Sequence, residues 1–383
     1  FVNAHTHLPM TLMRGYGGGC DLHTWLNQYI FPAEARLDSR AVAAGTGLGL
    51  AEMIASGVTC VADMYMHTGT IAEQILEAGI SANLSCGGVY FGAPEDFSPE
   101  TCGDCRNQAA LTEEWHGAGA GQILVDASVH GEYTSNPPLW RWMAEYAAEH
   151  RLGMHVHVSE TQSEHQASLE RWGKTPIQAL DGCGVWDCGR SLAAHCVYTT
   201  EEDWALMVEK GISCVHNPWS NLKLGSGVAP IPAMMRAGVN VALGTDGVAS
   251  NNSHDLFEEI KLAALLHKGV GLDPAAVTAR QALEMATVNG ARALGRNTGV
   301  IAPGKTADLI LVDLDALNLF PCHDVEEDLV YSARGSNVVM NMARGRVIYE
   351  KGEFFTLDLE KIRAEVESYA LPRIFGSVRG GGA

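Results

Sequence analysis

Short apolar runs alternate with longer amphipathic stretches along most of this chain, and this alternation is what most limits its fold. Alternating β and α patterns are typical of parallel strands joined by crossover helices. Eight such runs can be distinguished, the number of strands that closes a (β/α)8 barrel. They are FVNAHTH, VTCVADM, ISANLSCGG, ILVDASVH, GMHVHVSE, SLAAHCV, GISCVH and NVALGTDG. We therefore predict an α/β fold with a TIM-like barrel domain over residues 1–298.

The last part of the chain follows another pattern. ADLILVDL at 307–314 and NVVMNMARGRVIYEKGEF at 337–354 have the composition of strands and a hairpin rather than of further βα units. Pro and Gly mark the junction at 301–305. We predict a small β appendage over 299–357, followed by a charged helix and tail over 358–383.

Composition excludes some classes of partner. Hydrophobic residues make up 46% of the chain, enough for a large core, and the formal net charge is −19. A field of that sign repels nucleic acid and anionic lipid. No apolar run reaches the roughly 20 residues that a membrane span needs. We expect neither nucleic acid nor membrane as a partner.

Ten cysteines are scattered along a chain too long to need disulfide staples. We interpret them as reduced thiols and predict a cytoplasmic protein. Cys102 and Cys105 form a lone CxxC without the second pair of a zinc ribbon, so we interpret that segment as a solvated loop. A homo-oligomer stays open, because dimers are common among soluble enzymes.

Polar residues stand where the predicted strands end, on the face that carries the active sites of barrel enzymes. His5 and His7 are two residues apart on the first strand, so their side chains point the same way. His157 and Asp246 end two later runs. Three imidazoles and a carboxylate suit one divalent metal, with Zn²⁺ preferred and Fe²⁺ or Mn²⁺ as alternatives.

Further polar residues remain near this predicted metal site. Glu160 is a carboxylate suited to proton transfer, and His195 could orient or deprotonate a water molecule. His216 fits either a substrate contact or a structural cap at its strand end. We predict that His155, deeper on its strand, is a hydrogen-bonded core residue. The histidines predicted to lie on the surface are His23, His116, His150, His165, His254, His267 and His323.

The motifs NAHTH, HVSE, AAHC, HNPWSNLKLG, GTDGVASNN and PGKTADLILVDLD resemble those of the amidohydrolase superfamily. The similarity runs from Phe1 to about Phe355 and is strongest to the 5′-methylthioadenosine/S-adenosylhomocysteine deaminase branch. It implies hydrolytic deamination of an adenine ring, giving an inosine-type product and ammonia. A bound divalent metal would supply activated water at neutral pH.

The resemblance also implies roles for individual residues. Glu160 would protonate N1 of the purine, and Asp246 and His195 would take and steer the proton of the water. The residues that match the family's metal ligands are His5, His7, His157 and Asp246.

Substrate contacts are implied by three further positions. Glu34 matches a family glutamate that binds ribose hydroxyls, although a carboxylate favoured at a helix start would also explain it. His130 matches a histidine near the 5′ side of the substrate. Cys86 stands where members that take S-adenosylhomocysteine tend to carry an arginine, and Arg106 in the next loop is an open substitute. We therefore expect methylthioadenosine, 5′-deoxyadenosine or adenosine as substrate ahead of S-adenosylhomocysteine.

Two alternatives and one structural expectation remain. A related hydrolase would act on guanine, 8-oxoguanine or a chloro-s-triazine, and a catalytically silent barrel would act as a scaffold. Glu34 favours a ribosyl substrate, and the complete ligand set argues against the scaffold. In the superfamily, strands before the first barrel strand complete a β-sandwich with the C-terminal strands. We expect that half to be absent here, and this chain to be a fragment of a longer protein.

Overall fold

Eight parallel strands are hydrogen-bonded in chain order in the computed structural model, which describes residues 1–376. A parallel bridge joins Thr6 to Asp246, and the Asp246 N–H donates to the His5 carbonyl at 3.0 Å, which closes the ring. The predicted (β/α)8 barrel is confirmed. Its strands are β1 Val2–Thr6, β2 Cys60–Met64, β3 Ser81–Ser85, β4 Ile123–Gly131, β5 Gly153–Val158, β6 Ser191–His195, β7 Ile212–His216 and β8 Val241–Leu243.

Helices connect these strands and cover the outside of the barrel. No helix within residues 1–376 is both long and apolar enough to cross a membrane. Most helices lie in the barrel region: α1 Leu22–Trp25, α2 Phe31–Glu34, α3 Ser39–Ala55, α4 Thr68–Ala78, α5 Gly103–Trp115, α6 Ala118–Gly121, α7 Pro137–His150, α8 Gln162–Trp172, α9 Pro176–Asp181, α10 Glu201–Lys210, α11 Pro218–Lys223, α12 Ile231–Ala237, α13 Val248–Asn251, α14 Leu256–Gly271, α15 Ala279–Met285 and α16 Val288–Ala293. Helices α17 Val325–Tyr331, α18 Leu359–Glu365 and α19 Leu371–Phe375 follow.

Shorter helical segments complete the local structure. The 3₁₀ turns are Leu8–Met13, Pro94–Asp96, Glu132–Thr134 and Gly335–Asn337. A π-helical segment, Leu26–Ile30, joins α1 to α2, and another, Val366–Ala370, joins α18 to α19. Both therefore lie inside longer helical stretches, where a π segment inserts without ending the helix.

Local sequence signals explain where the helices begin and end. Thr161 and Glu164 form a reciprocal capping box at the start of α8, which satisfies backbone N–H groups that have no partner within the helix. Thr200 and Asp203 do the same for α10. Helix α4 ends at Gly79, whose φ of 87° lies in the left-handed region that glycine adopts without strain. All residues of the barrel strands except two in β4 are buried, as expected for a parallel sheet covered on both faces.

The C-terminal part forms one antiparallel sheet in the order β12-β11-β10-β9. In the described part of the chain this appendage has a single layer of strands rather than two packed sheets. The helical stretch after it packs on α3, where Arg40 Nε lies 2.8 Å from Glu365 Oε2. Gly47 allows this approach, since a Cβ there would lie 3.1 Å from Ile362. The strands are β9 Leu309–Val312, β10 Val338–Ala343, β11 Arg346–Glu350 and β12 Glu353–Phe354.

Two surface predictions are wrong. His254 and His267 are buried, because the polar histidine rings find partners inside the fold. His254 Nδ1 lies 3.2 Å from the Thr245 hydroxyl, and His267 on α14 contacts His216. The CxxC segment is also no solvated loop, since both thiols are buried at the start of α5. All ten cysteines are free.

The buried ring of His267 predicts a loss of stability in acid. Burial lowers its pKa from 6.5 to about 4, so the unfolded chain binds this proton first as the pH falls. The free energy of unfolding should therefore fall between about pH 6.5 and pH 4, by at most about 1.4 kcal/mol per pH unit from this group. Urea unfolding of His267→Leu should show a shallower acid slope than the wild type. Parallel slopes would contradict the assignment.

Candidate metal centre and active-site pocket

Four side chains from distant parts of the sequence meet at the C-terminal face of the barrel. His7 Nε2 lies 3.1 Å from Asp246 Oδ1 and 3.4 Å from His157 Nε2. His5 Nε2 lies 3.5 Å from the same oxygen of Asp246. The structure thus brings together all four predicted metal ligands, three imidazole nitrogens and one carboxylate.

The second ring nitrogens show which atoms are free to bind a metal. His7 Nδ1 lies 2.5 Å from the Met64 carbonyl, and His157 Nδ1 lies 2.7 Å from the His130 carbonyl. A carbonyl only accepts, so each Nδ1 carries a proton and each Nε2 is the ring atom that faces the cluster. His5 Nε2 is buried without a hydrogen-bond partner. Burial lowers the pKa of His5 to about 4 and that of His157 well below its usual value, so both rings are neutral ligands.

Asp246 is held rigidly where β8 has ended. Its Oδ2 accepts hydrogen bonds from Ser220 at 2.6 Å and from Ser250 at 3.0 Å, which leaves Oδ1 toward the imidazoles. Its φ of 59° is a left-handed conformation that non-glycine residues adopt rarely and often at functional sites. Gly244 lets this segment approach the first strand, because a Cβ there would lie 2.8 Å from His5 Cβ. The donor set, the tautomers and the unpartnered nitrogen fit a divalent-metal site.

Glu160 and His195 lie beside the cluster. His195 Nε2 is 3.8 Å from Glu160 Oε2, and His195 Nδ1 is 2.8 Å from Asn221 Oδ1. The amide oxygen only accepts, so Nδ1 carries the proton and Nε2 is free to take one. Burial raises the pKa of Glu160, which keeps this carboxyl closer to protonation at neutral pH than an exposed glutamate. The pair can therefore exchange protons with a bound molecule.

The loop that carries Glu160 is fixed by a buried carboxylate that the sequence analysis missed. Glu164 accepts hydrogen bonds from the backbone N–H groups of Ser159 at 2.8 Å and of Glu160 at 2.7 Å. Burial raises the pKa of Glu164 to about 7. The TxxE capping signal at the start of α8 could have indicated this residue, because the cap lies directly after a predicted ligand strand.

One cavity of about 400 Å³ opens onto the metal cluster. His7, His157, Asp246 and the pair Glu160 and His195 line one end. The predicted substrate residues Glu34, Cys86 and His130 also line it. Polar groups converging in a mostly apolar cavity of this size are typical of a small-molecule site.

Glu34 is nearly buried in this cavity and accepts a 2.6 Å hydrogen bond from the Tyr65 hydroxyl. The Tyr65 ring in turn lies 6.2 Å from the His7 ring, so one aromatic side chain connects the metal centre to this carboxylate. Glu34 is the last residue of the helical stretch 22–34. An attraction to a helix start therefore does not explain it. The sequence analysis missed Tyr65, because its position one residue after β2 is the only sequence feature that indicates a functional role.

The structure separates two predicted residues from the cavity. His216 is buried at the end of β7, but its ring turns away from the cavity toward α14, and its Nε2 lies 3.2 Å from His267 Nε2. His216 does not line the cavity, and its observed side-chain partner is another buried histidine. Arg106 is exposed on α5, donates to the Glu100 carbonyl at 2.8 Å and does not line the cavity.

Comparison with known proteins gives the family. The Amidohydrolase family profile matches residues 1–348. The chain belongs to the amidohydrolase family. A family relative named 5-methylthioadenosine/S-adenosylhomocysteine deaminase, from Moorella thermoacetica, is 45% identical over 369 residues, which are 95% of this chain and 84% of that protein. A 5′-deoxyadenosine deaminase of Methanosarcina mazei is 42% identical, over 96% of this chain and 84% of its own length.

A solved amidohydrolase structure supports the same grouping. The crystal structure of an adenosine deaminase from Xanthomonas campestris with bound zinc superposes with a TM-score of 0.90 and 35% identity. The match covers 97% of this chain and 84% of that chain. Together with the family match and the deaminases among the relatives, this makes the chain a hydrolytic enzyme that acts on C–N bonds.

Proposed function

We propose that this enzyme deaminates adenine nucleosides with a small, uncharged 5′ substituent, releasing ammonia and an inosine-type nucleoside. Methylthioadenosine, 5′-deoxyadenosine and adenosine are the preferred substrates, ahead of S-adenosylhomocysteine. One observation carries the proposal. A single cavity joins the metal cluster to the buried carboxylate of Glu34, and among residues 1–376 no lysine or arginine side chain lines it.

At the metal end, the side chains suit attack on the purine ring at C6. A divalent metal held by His5, His7, His157 and Asp246 would supply an activated water there at neutral pH. Glu160 donates a proton to N1, where electron density collects as C6 becomes tetrahedral. His195, with Nε2 unprotonated and Nδ1 held by Asn221, steers a proton from the water toward the departing amino group. Asp246 shares in taking that proton.

At the ribose end, Glu34 binds the two vicinal hydroxyls. A carboxylate accepts two hydrogen bonds at once, and the Tyr65 hydroxyl holds one of its oxygens in place. Free guanine, 8-oxoguanine and s-triazines have no ribose to pair with this nearly buried group. With such a ring bound, the Glu34 carboxylate would keep the Tyr65 hydroxyl but gain no ribose hydroxyls as partners, which disfavours these rings as substrates.

At the 5′ end, none of the lysine or arginine side chains within residues 1–376 lines the cavity to balance the charge of a substrate carboxylate. Cys86 cannot make the bidentate contact of an arginine, and its thiol is within 3.4 Å of Gln108 Oε1. The nearby charged residue on the cavity wall is Asp104, which repels an anion. Met66 and Phe91, both exposed, add apolar surface that suits a methylthio or methyl group.

The proposed metal is Zn²⁺. Three neutral imidazoles and one carboxylate match its preference for nitrogen and oxygen ligands at low coordination number. The Xanthomonas campestris relative carries zinc. Fe²⁺ and Mn²⁺ are the alternatives, and elemental analysis of the purified protein decides among the three.

The proposed setting is the cytoplasm, where a reducing environment keeps the ten free thiols reduced. The net charge of −19 disfavours nucleic acid as a partner. The proposed partner is the nucleoside itself. Analytical ultracentrifugation tests the association of copies of the chain into a homo-oligomer.

The test compares kcat/KM for methylthioadenosine and S-adenosylhomocysteine. We expect methylthioadenosine to lead by about 5–150-fold, since an unpaired buried carboxylate costs about 1–3 kcal/mol. Cys86→Arg should reduce the difference in kcat/KM between the two substrates, whereas the uncharged control Cys86→Met should not. Glu34→Gln should raise KM for every nucleoside.

Other outcomes would contradict parts of the proposal. Equal kcat/KM for methylthioadenosine and S-adenosylhomocysteine would contradict the proposed preference for a small, uncharged 5′ substituent. Turnover of free guanine, 8-oxoguanine or s-triazines alone would remove the ribose argument and favour the related hydrolase. A metal-loaded protein that turns over none of these compounds would favour the scaffold.

A further inference from the structure

The metal ligand His5 is held by side chains, whereas the other two histidine ligands are held by the backbone. His7 and His157 both donate from Nδ1 to carbonyl oxygens. His5 Nδ1 instead lies 2.8 Å from the Nε2 of His155. We infer that His155 and Ser85 are positioning residues that fix the tautomer of His5 and thereby raise the metal affinity of the site.

The three residues form a continuous hydrogen-bonded relay. His155 Nδ1 lies 3.2 Å from the Ser85 hydroxyl, and that hydroxyl lies 3.3 Å from the carbonyl of Asp63. His5, His155 and Ser85 are each at most 1% exposed. We call this set the His5–His155–Ser85 relay. Water does not reach it, so its members depend on one another for hydrogen bonds.

The proton positions in the relay follow from its two ends. His5 Nε2 faces the other ligands and must present a lone pair to a metal, so Nδ1 carries the proton and donates to His155 Nε2. His155 then carries its own proton on Nδ1 and donates to Ser85 Oγ. The serine hydroxyl donates in turn to the Asp63 carbonyl, which can only accept.

Hydrogen-bond donation in the opposite direction along the relay would be incompatible with metal binding. If Ser85 donated to His155 and His155 to His5, the proton of His5 would sit on Nε2 and point at the other ligand atoms. The relay ends on a backbone carbonyl that favours the productive direction. Groups that orient a metal-bound histidine in this way are worth about 10–100-fold in metal affinity.

The experiment measures zinc affinity by competition with a chromophoric chelator, in the absence of substrate. We expect His155→Leu to weaken zinc binding by about 10–100-fold. His155→Gln should lose less, because its amide oxygen can accept from His5 Nδ1. Ser85→Ala should lower the zinc affinity by less than His155→Leu does, but by more than the experimental error, because His155 Nδ1–H then lacks an acceptor.

His267→Leu is the matched control, since it removes another buried histidine whose ring partner is also a histidine. It should bind zinc like the wild type. Unchanged zinc affinity in the His155 and Ser85 variants would overturn the inference, even if their metal-free melting temperatures fell. A loss of zinc affinity in His267→Leu as large as that in the His155 variants would also overturn the inference, since it would reflect general disruption of the fold.

The experiment can still contradict the inference if one variant fails to fold or if the proposed substrate is wrong. If His155→Leu does not fold, His155→Gln and Ser85→Ala carry the same test, because both are smaller changes. The inference rests on the metal centre of the proposed function and not on its substrate. If the wild type turned over none of the proposed nucleosides while the His155 and Ser85 variants bound zinc more weakly, only the proposed substrate would be contradicted.

Discussion

Replacing Glu160 with glutamine should lower kcat for methylthioadenosine by about 10²–10⁴-fold, the range that a positioned general acid contributes. Glutamine has nearly the same shape and can still accept the hydrogen bond from Ser226, which lies 3.4 Å from Glu160 Oε1. It cannot deliver a proton to N1. Burial raises the pKa of Glu160, so the wild-type carboxyl is suited to this transfer and the amide is not. KM should change little, because the ribose contact at Glu34 is untouched.

Steady-state kinetics with matched metal content test this expectation. Glu170→Gln makes the same chemical change on the exposed side of α8 and should keep wild-type kcat. The Glu160→Gln protein should also bind zinc normally, since Glu160 is outside the predicted ligand set. A kcat within tenfold of the wild type would remove Glu160 from the proton-transfer role.

Stripping the divalent metal with a chelator should abolish activity, and adding Zn²⁺ back should restore it. Without the metal, the cluster keeps its imidazole side chains and one carboxylate but has no Lewis acid to activate water. His157→Ala should not regain activity at the same Zn²⁺ concentration, because one of the converging nitrogens is gone. This nitrogen is otherwise 3.4 Å from His7 Nε2.

Thermal unfolding gives a second measure of metal binding that needs no substrate. At a free Zn²⁺ concentration of 100 times Kd, binding should stabilise the folded wild type by about 2.7 kcal/mol. The His157→Ala protein should show a much smaller gain. Full activity of a metal-free preparation, or equal stabilisation of the variant, would contradict the assignment of the cluster.

Several features of this protein could be predicted from its sequence. The alternating apolar and amphipathic runs predict eight parallel strands, and the barrel follows because closure needs that number. The convergence of the predicted ligand residues could also be anticipated, because each stands at or just after a strand end, and such ends share one face of a barrel. The spacing of His5 and His7 sets their direction, since strand side chains alternate.

Other features depended on contacts between residues far apart in the sequence. The sequence left His216 open between a substrate contact and a structural cap and placed His267 on the surface, yet the two rings pair in the core although they are 51 positions apart. Tyr65 became relevant only through its bond to Glu34 on another element. No local pattern contains these partners.

The same division applies within the metal centre. The sequence determined which residues could bind a metal, because ligand chemistry belongs to the side chain itself. Only the tertiary structure decided which ring nitrogen faces the cluster. That choice depends on what each Nδ1 meets, a backbone carbonyl for His7 and His157 but a second histidine for His5, 150 residues away. Packing places these partners, and a hydrogen bond forms only where packing brings donor and acceptor within reach.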